Sequence, residues 1–488
     1  MADEEKPEKD EKGKGAPTSE KSEKQEEPVG DPNVSGGAVG SAKKGIVDTV
    51  LSVFAEVHAG EGIGALILMT NVLLMLVAYY VLKTVREPLI LASGGAQLKA
   101  YATAAQAVLL MGFVPLYAAL AKRLKRMQLI TATLVFYAGV FVLFWVLAGL
   151  KVPYLGFAFF LVLGIFSLSV IAQFWSLAND LYTQEQGKRL FAILGVGASL
   201  GAVVGSYVAK KLVKPLGPYP MMLVAAAILG VCLLLSWIAN TREEKRRAAE
   251  APSEKKEDDK PIGGKNGFSL ILSDRYLLMI AGIILLLNLV NTTGELILSI
   301  NVENAAKASV ENFDALDAAA KKKVIEDFSG VWYGDFFTWV NAVGAITQLF
   351  LVSRIFKYLG LRIALFSLPL IGLFTYGVMA FVPIFSLVRI GKIAENACDY
   401  SLYNTTKQAL WLPTTREQKY NAKTAIDTFI VRAGDFVSGL VVALAKGAGF
   451  GAQTFALVNL VIIGGWLVLV VLIGRENLKR TEEAAAAK

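Results

Sequence analysis

Charged side chains embedded in long apolar runs are where this chain could do chemistry. Lys83, Arg86 and Glu87 close the first run. Arg389, Lys392, Glu395 and Asp399 lie in a late one, with Lys407 two turns on, and Asp427, Arg432 and Asp435 lie in the next. A charge in hydrocarbon is costly, so such residues face a bundle interior or a water-filled path. Lys and Arg replace water around phosphate or carboxylate oxygens. The chemistry expected is therefore recognition of an anion in transit, not bond making.

Each cluster has a plainer reading. Lys83 and Arg86 at the end of a run could simply snorkel to the interface, and Glu87, one turn from Lys83, could neutralise it. Residues 389, 392, 395 and 399 drift slowly around one helix face. They are read here as lining a pathway, because so many charges need a wet face; the alternative is a set of mutually paired charges. Arg432 and Asp435 are three residues apart and could pair locally, or exchange partners with Asp427 as a gate. In the seventh run Asn288, Asn291 and Glu295 share a face. Glu295 is a candidate proton carrier or ligand, while the asparagines could merely hold helices together. Gly197, Gly201 and Gly205 recur every fourth residue, a packing pattern with no chemistry assigned. Trp175, Tyr182, Tyr400, Tyr403 and Trp411 are read as interface anchors, one or two of which could stack on a nucleobase.

Composition sets the class. The chain has 488 residues, 55% of them hydrophobic, and a mean hydropathy of +0.51. Apolar runs near bilayer length make it an integral membrane protein. The net charge of +8 does not call for nucleic acid, because basic residues cluster in short loops such as Lys122-Arg123-Leu124-Lys125-Arg126, which is how topology signals look. Two separated cysteines, Cys232 and Cys398, make neither a disulfide framework nor a metal site. With His58 the single histidine and no phosphate-binding loop of the Walker kind, no cofactor, metal or enzymatic reaction is expected.

The elements that must position these charges are twelve spans, at about 62–83, 97–120, 128–150, 154–178, 190–211 and 219–239, then 274–298, 331–353, 361–382, 384–406, 424–446 and 453–473. The expected fold is an all-α membrane protein with twelve transmembrane helices in two six-helix halves. Residues 1–46 read as a disordered charged tail, 47–240 as the first half, 241–270 as a polar linker, 271–475 as the second half and 476–488 as a tail. Loop charges put both termini in the cytoplasm; Lys210, Lys211, Lys214 and the 301–330 segment are the exceptions. Ala318 to Asp327 is expected to form a short surface helix. The internal repeat is faint: Thr183-Gln184-Glu185-Gln186 against Thr415-Arg416-Glu417-Gln418.

Several stretches resemble the ATP/ADP translocase family of obligate intracellular bacteria and plastids. Asp399-Tyr-Ser-Leu-Tyr-Asn-Thr-Thr-Lys407, then Leu412-Pro413, then Lys423-Thr-Ala-Ile-Asp427 and Arg432, resembles the family's "YSLFDPTKE" core followed by "KAAVD" and an arginine. Phe174-Trp175-Ser-Leu-Ala-Asn179 is similar to its "FWGFAN". Gly187-Lys188-Arg189-Leu-Phe191 is similar to "AKRFY". Tyr80-Val-Leu-Lys83-Thr-Val-Arg86-Glu87 is similar to "SILRDTKD", and Gly334-Asp335-Phe336 to a triplet opening the eighth span. The resemblance covers nearly all of residues 62–474.

It implies a major-facilitator-like fold, in the inner membrane of a bacterium and expected as a monomer, that exchanges ATP for ADP. It implies that Lys83, Arg86 and Lys407 hold phosphates, helped by Lys392 and Arg432, with Asn179 on a base or ribose edge. Glu87, Asn291, Glu295, Glu395, Asp427 and Asp435 would serve gating or proton linkage. The chain departs from the pattern at three places: Leu163 to Ile171 carries no acid, Asn291 stands where an acid is usual, and Asp435 stands where a lysine is usual. These changes alter the cavity's charge. The rival expectation is proton-coupled symport of another nucleotide or organic anion.

Overall fold

Apolar runs in hydrocarbon must pair every backbone N–H and C=O within themselves, which makes them helices. The computed structural model describes residues 45–52, 56–121, 123–182, 184–249, 267–415, 417–447 and 450–486; among these there are helices and no strands. The expected tail 1–46, apart from its last two residues, lies outside the described residues. A short helix α1 (Ile46–Leu51) precedes α2 (Gly62–Ala121).

α2 is two limbs. Gly94 and Gly95 leave helical geometry, and Gly95 has φ 70°, which favours glycine. Glu87 and Lys99 are twelve residues apart, about 18 Å along a straight helix, yet Lys99 Nζ lies 2.7 Å from Glu87 Oε2. The chain therefore reverses at the glycine pair. The first limb runs on to residue 93 instead of ending at 83. Three charges followed by Pro88 imitate a helix end, but their burial among partners keeps the helix going. Lys83, Arg86 and Glu87 lie inside the bundle, so snorkelling does not describe them.

In the first half, α3 (Arg126–Gly149), α4 (Leu155–Leu181), α5 (Gln184–Leu216) and α6 (Pro220–Ala249) complete the rods, with α4, α5 and α6 packed on α2. The glycine ladder of α5 sets its approach to the first limb. A Cβ on Gly197 would stand 2.7 Å from the Met69 carbonyl oxygen and one on Gly205 2.8 Å from the Val77 Cα, and one on Gly201 would strike the Leu73 backbone. α6 continues through 241–249, so that part of the expected linker is helical; 250–266 lie outside the described residues.

The second half holds α7 (Gly267–Ser273), α8 (Arg275–Ala308), α9 (Ala318–Ile346), α10 (Val352–Tyr358), α11 (Gly360–Phe381), α12 (Phe385–Cys398), α13 (Asn404–Ala409), α14 (Lys423–Ala425), α15 (Val431–Gly447) and α16 (Ala452–Ala486). π-helical turns join α9 to α10 (Thr347–Leu351), α12 to α13 (Asp399–Tyr403) and α14 to α15 (Ile426–Ile430). Such turns gather at functional sites. The expected surface helix at 318–327 is not separate: Ala318 opens α9, capped by Asp317, whose side chain accepts from Ala320 N at 2.7 Å. Nine helices among the described residues are long and apolar enough to cross a bilayer. α2 counts there as one, and the rods of α12–α13 and α14–α15 are interrupted by their π turns.

The halves meet where α2 and α5 pack on α8, α9 and α15. The faint repeat has a structural counterpart. Gln186 Nε2 donates to Glu61 at 3.1 Å, and Gln418 Nε2 donates to Asp274 at 2.9 Å. Each acid stands just before the first rod of a half, and each also pairs with an arginine, Arg189 at 3.0 Å and Arg480 at 2.7 Å.

Candidate functional site

The first limb and the start of the second bring three cations to the middle of the bundle. Lys83, Arg86 and Lys99 line a cavity, faced from the second half by Asn291, Glu295, Asn396, Tyr400 and Asp435.

Most of these charges are already matched. Arg86 bonds Glu87 and lies 4.4 Å from the Phe160 ring centre. Lys99 Nζ reaches Glu87 at 2.7 Å, the Ser299 hydroxyl at 2.8 Å and Glu295 at 3.6 Å. Lys392, fully buried, reaches Glu395 at 3.0 Å and Glu295 at 3.9 Å. Tyr376 donates its hydroxyl to Glu395 at 3.0 Å, and Asn396 donates to Glu295 at 3.3 Å. Three cations thus face three carboxylates, and the chain of contacts crosses between the halves at Lys99 and Glu295.

Lys83 is the surplus. It is 9% exposed, and among the described residues no carboxylate pairs with it. Its Nζ donates to the Tyr400 hydroxyl at 3.3 Å and lies 4.5 Å from the Phe337 ring centre, with Tyr80 at 5.2 Å and Tyr400 at 5.4 Å. Ring faces attract a cation without neutralising it. Among the described residues the site therefore carries one positive charge that no carboxylate balances.

Lys83 and Tyr400 also line a second cavity, with Tyr79, Ser199, Asn341, Gln348 and Asn404. On α9 and on the α12–α13 rod its lining residues lie toward the end that carries the termini. Its wall is polar and aromatic, and apart from Lys83 it bears no charge.

The other sequence candidates fall elsewhere. Lys407 pairs with Asp399 at 3.2 Å and lies off both cavities. Arg432 and Asp435 pair locally at 3.0 Å; Asp435 also accepts from Thr292 at 3.0 Å and reaches the cavity rim. Asp427 pairs with Lys423 at 3.4 Å, half exposed, and forms no trio with them. Asn179 is exposed at the end of α4 and lines neither cavity.

The stripe of α12 is paired charge by charge: Arg389 with Asp335, Lys392 with Glu395, Asp399 with Lys407. Burial is achieved by pairing, which the spacing alone could not reveal, and that rod presents Asn396 and Tyr400 to the cavity instead. Of the expected anchors, Tyr403 is buried and accepts from Trp466 Nε1 at 3.2 Å, Trp411 is buried, and Tyr400 is part of the site. Sequence reasoning missed Lys99. Its signal was present, a lone ionisable residue at the start of an apolar run.

The TLC ATP/ADP transporter family matches residues 145–477. ADP,ATP carrier protein 1 of Chlamydia pneumoniae is 24% identical over 347 residues, covering 62% of this chain and 63% of that protein. The chloroplastic ADP,ATP carrier protein 1 of Arabidopsis thaliana is 24% identical over 359 residues, covering 65% and 53%. The chain thus spans less than two thirds of the length of these relatives. Among solved structures, the nucleoside transporter NupG superposes with a TM-score of 0.59 at 11% identity, over 84% of this chain and 98% of that one. A bacterial homologue of the iron transporter ferroportin, in an inward-facing state, gives 0.57 at 12%, over 84% and 98%. These likenesses show the fold, an all-α, major-facilitator-like bundle.

Proposed function

Because the chain belongs to the TLC ATP/ADP transporter family, we propose that it carries adenine nucleotides across a membrane, exchanging ATP for ADP by alternating access. In this reading the rods make twelve crossings, halves 47–240 and 271–475 rock about the central cavity, and both termini are cytoplasmic in a bacterial inner membrane. The relatives' printed names, ADP,ATP carriers, support the choice of cargo.

The observation that carries the reading is Lys83, a buried cation without a carboxylate in an otherwise matched cavity at the seam of the halves. A phosphate oxygen completes its coordination. Arg86 offers the planar fork that suits phosphate, shared with Glu87. The uncharged cavity beyond Lys83 accommodates base and ribose, with Tyr79, Tyr80 and Tyr400 as ring faces for stacking. Lys407, Lys392 and Arg432 keep their protein partners and act by holding rods. Exchange follows from the same surplus charge. An empty carrier that closes around Lys83 buries an uncompensated cation, which is expensive, whereas a carrier loaded with a phosphate does not.

The test is uptake of labelled ATP into proteoliposomes with and without ADP inside. Uptake that requires internal ADP supports exchange. Equal uptake by empty vesicles removes obligatory exchange, and no uptake by folded protein removes the nucleotide.

A further inference from the structure

Three lysines, Lys210, Lys211 and Lys214, stand at the end of α5 remote from the termini, where the loop-charge rule expects few. Lys211 lies over the Tyr207 ring at 5.6 Å. Lys210 and Lys214 instead line a separate, open cavity, with Asp335, Arg389, Asp327 and Trp332. The central cavity shares none of these residues.

One carboxylate holds this vestibule together. Asp335 bonds Lys210 of the first half through Oδ1 and Arg389 of the second half through Oδ2. The Arg389 Nε is buried and has no acceptor among the described residues. Lys214 is exposed, with no acid paired to it among the described residues. The halves are shut here: a Cβ on Gly334 would stand 2.7 Å from the Lys210 Cα, and Ala96 N donates to Glu303 across the seam at 2.9 Å. Asp335 occupies the position a phosphate would take, with its two oxygens gripped by cations from opposite halves, one spare guanidinium N–H and one spare ammonium beside it.

We propose that this vestibule is a second anion site and the keyed outer gate. A polyphosphate arriving from the face opposite the termini binds Lys214 and Arg389, displaces Asp335 from Lys210, and so unties the halves. The proposal rests on the reading that the cargo is a polyphosphate anion, and it assigns Asp335 a positioning role.

The experiment places a reporter, Thr103→Cys, in the central cavity. The native Cys232 and Cys398 are buried. A membrane-impermeant thiol reagent is applied from the face opposite the termini, with inorganic tripolyphosphate as the probe. Tripolyphosphate should accelerate labelling roughly fivefold, the scale of one partly exposed ion pair. Lys214→Gln should remove most of that acceleration, and Asp335→Asn should label fast without any anion. Sodium chloride at matched ionic strength separates binding from screening. Equal acceleration by chloride, none by tripolyphosphate, or an undiminished effect in the exposed-site variant Lys214→Gln would overturn the proposal. The readout involves no nucleotide, so it stands or falls independently of ATP exchange.

Discussion

Replacing Lys99 with methionine should be among the most damaging single changes in the chain. Lys99 lies 2.7 Å from Glu87 and 3.6 Å from Glu295, and the Lys99 and Glu87 side chains are 6% and 1% exposed. Methionine fills the volume but leaves a buried carboxylate short of its partner, which costs about 3–5 kcal/mol. Glu87 retains Arg86, so the lower end of that range applies. At about 1 °C per kcal/mol for a chain this long, the apparent melting temperature should fall by about 3 °C. Thermal unfolding of the purified protein in detergent measures it. The loss should be partly recovered in the double variant Lys99→Met with Glu87→Gln, because the two sites share one interaction and their effects are not additive, although Arg86 then loses its carboxylate. A single variant that melts with the wild type, or a double variant whose loss equals the sum of the singles, would refute the network as described.

Three further outcomes follow from particular contacts. Gly201→Val should lower stability by about 1–3 kcal/mol through overpacking against the Leu73 backbone, visible as a lower yield of monodisperse protein and a lower melting temperature. Burial pushes the Asp274 carboxyl up, but Arg480 and the Tyr276 N–H outweigh it and hold it below the usual range. That stability is present above the ordinary aspartate value near 4 and lost as pH falls through the lowered one, so Asp274→Asn should melt lower at pH 7 and converge with the wild type in acid. Lys407→Ala should leave Asp399 unpaired and reduce stability while leaving the KM for nucleotide within about threefold, since Lys407 touches neither cavity.

The sequence announces helices, runs and their order, because a bilayer dictates length and hydropathy with little freedom. It misplaces the first span's end, since Lys83, Arg86, Glu87 and Pro88 look like a boundary when burial is unknown. The paired α12 stripe and the hidden Lys99 show the same limit from both sides. Spacing says which residues share a face but not which charges from other rods meet them there. Asn179 illustrates the cost of carrying a motif residue across: its neighbours Phe174, Leu177 and Ala178 are buried, yet it ends exposed on α4. Gln186 and Gln418 show the reverse, a four-residue trace too short to trust that marks equivalent bonds in both halves.

The central claim is that Lys83 is the cation that an incoming phosphate completes. Its most direct test is ADP-driven ATP uptake by Lys83→Met in proteoliposomes, beside wild type, with folding checked by melting temperature. Loss of one charge-assisted hydrogen bond, about 1.5–3 kcal/mol, predicts a fall in kcat/KM of roughly 10- to 150-fold with little change in melting. Uptake at the wild-type rate by the folded variant would contradict the account.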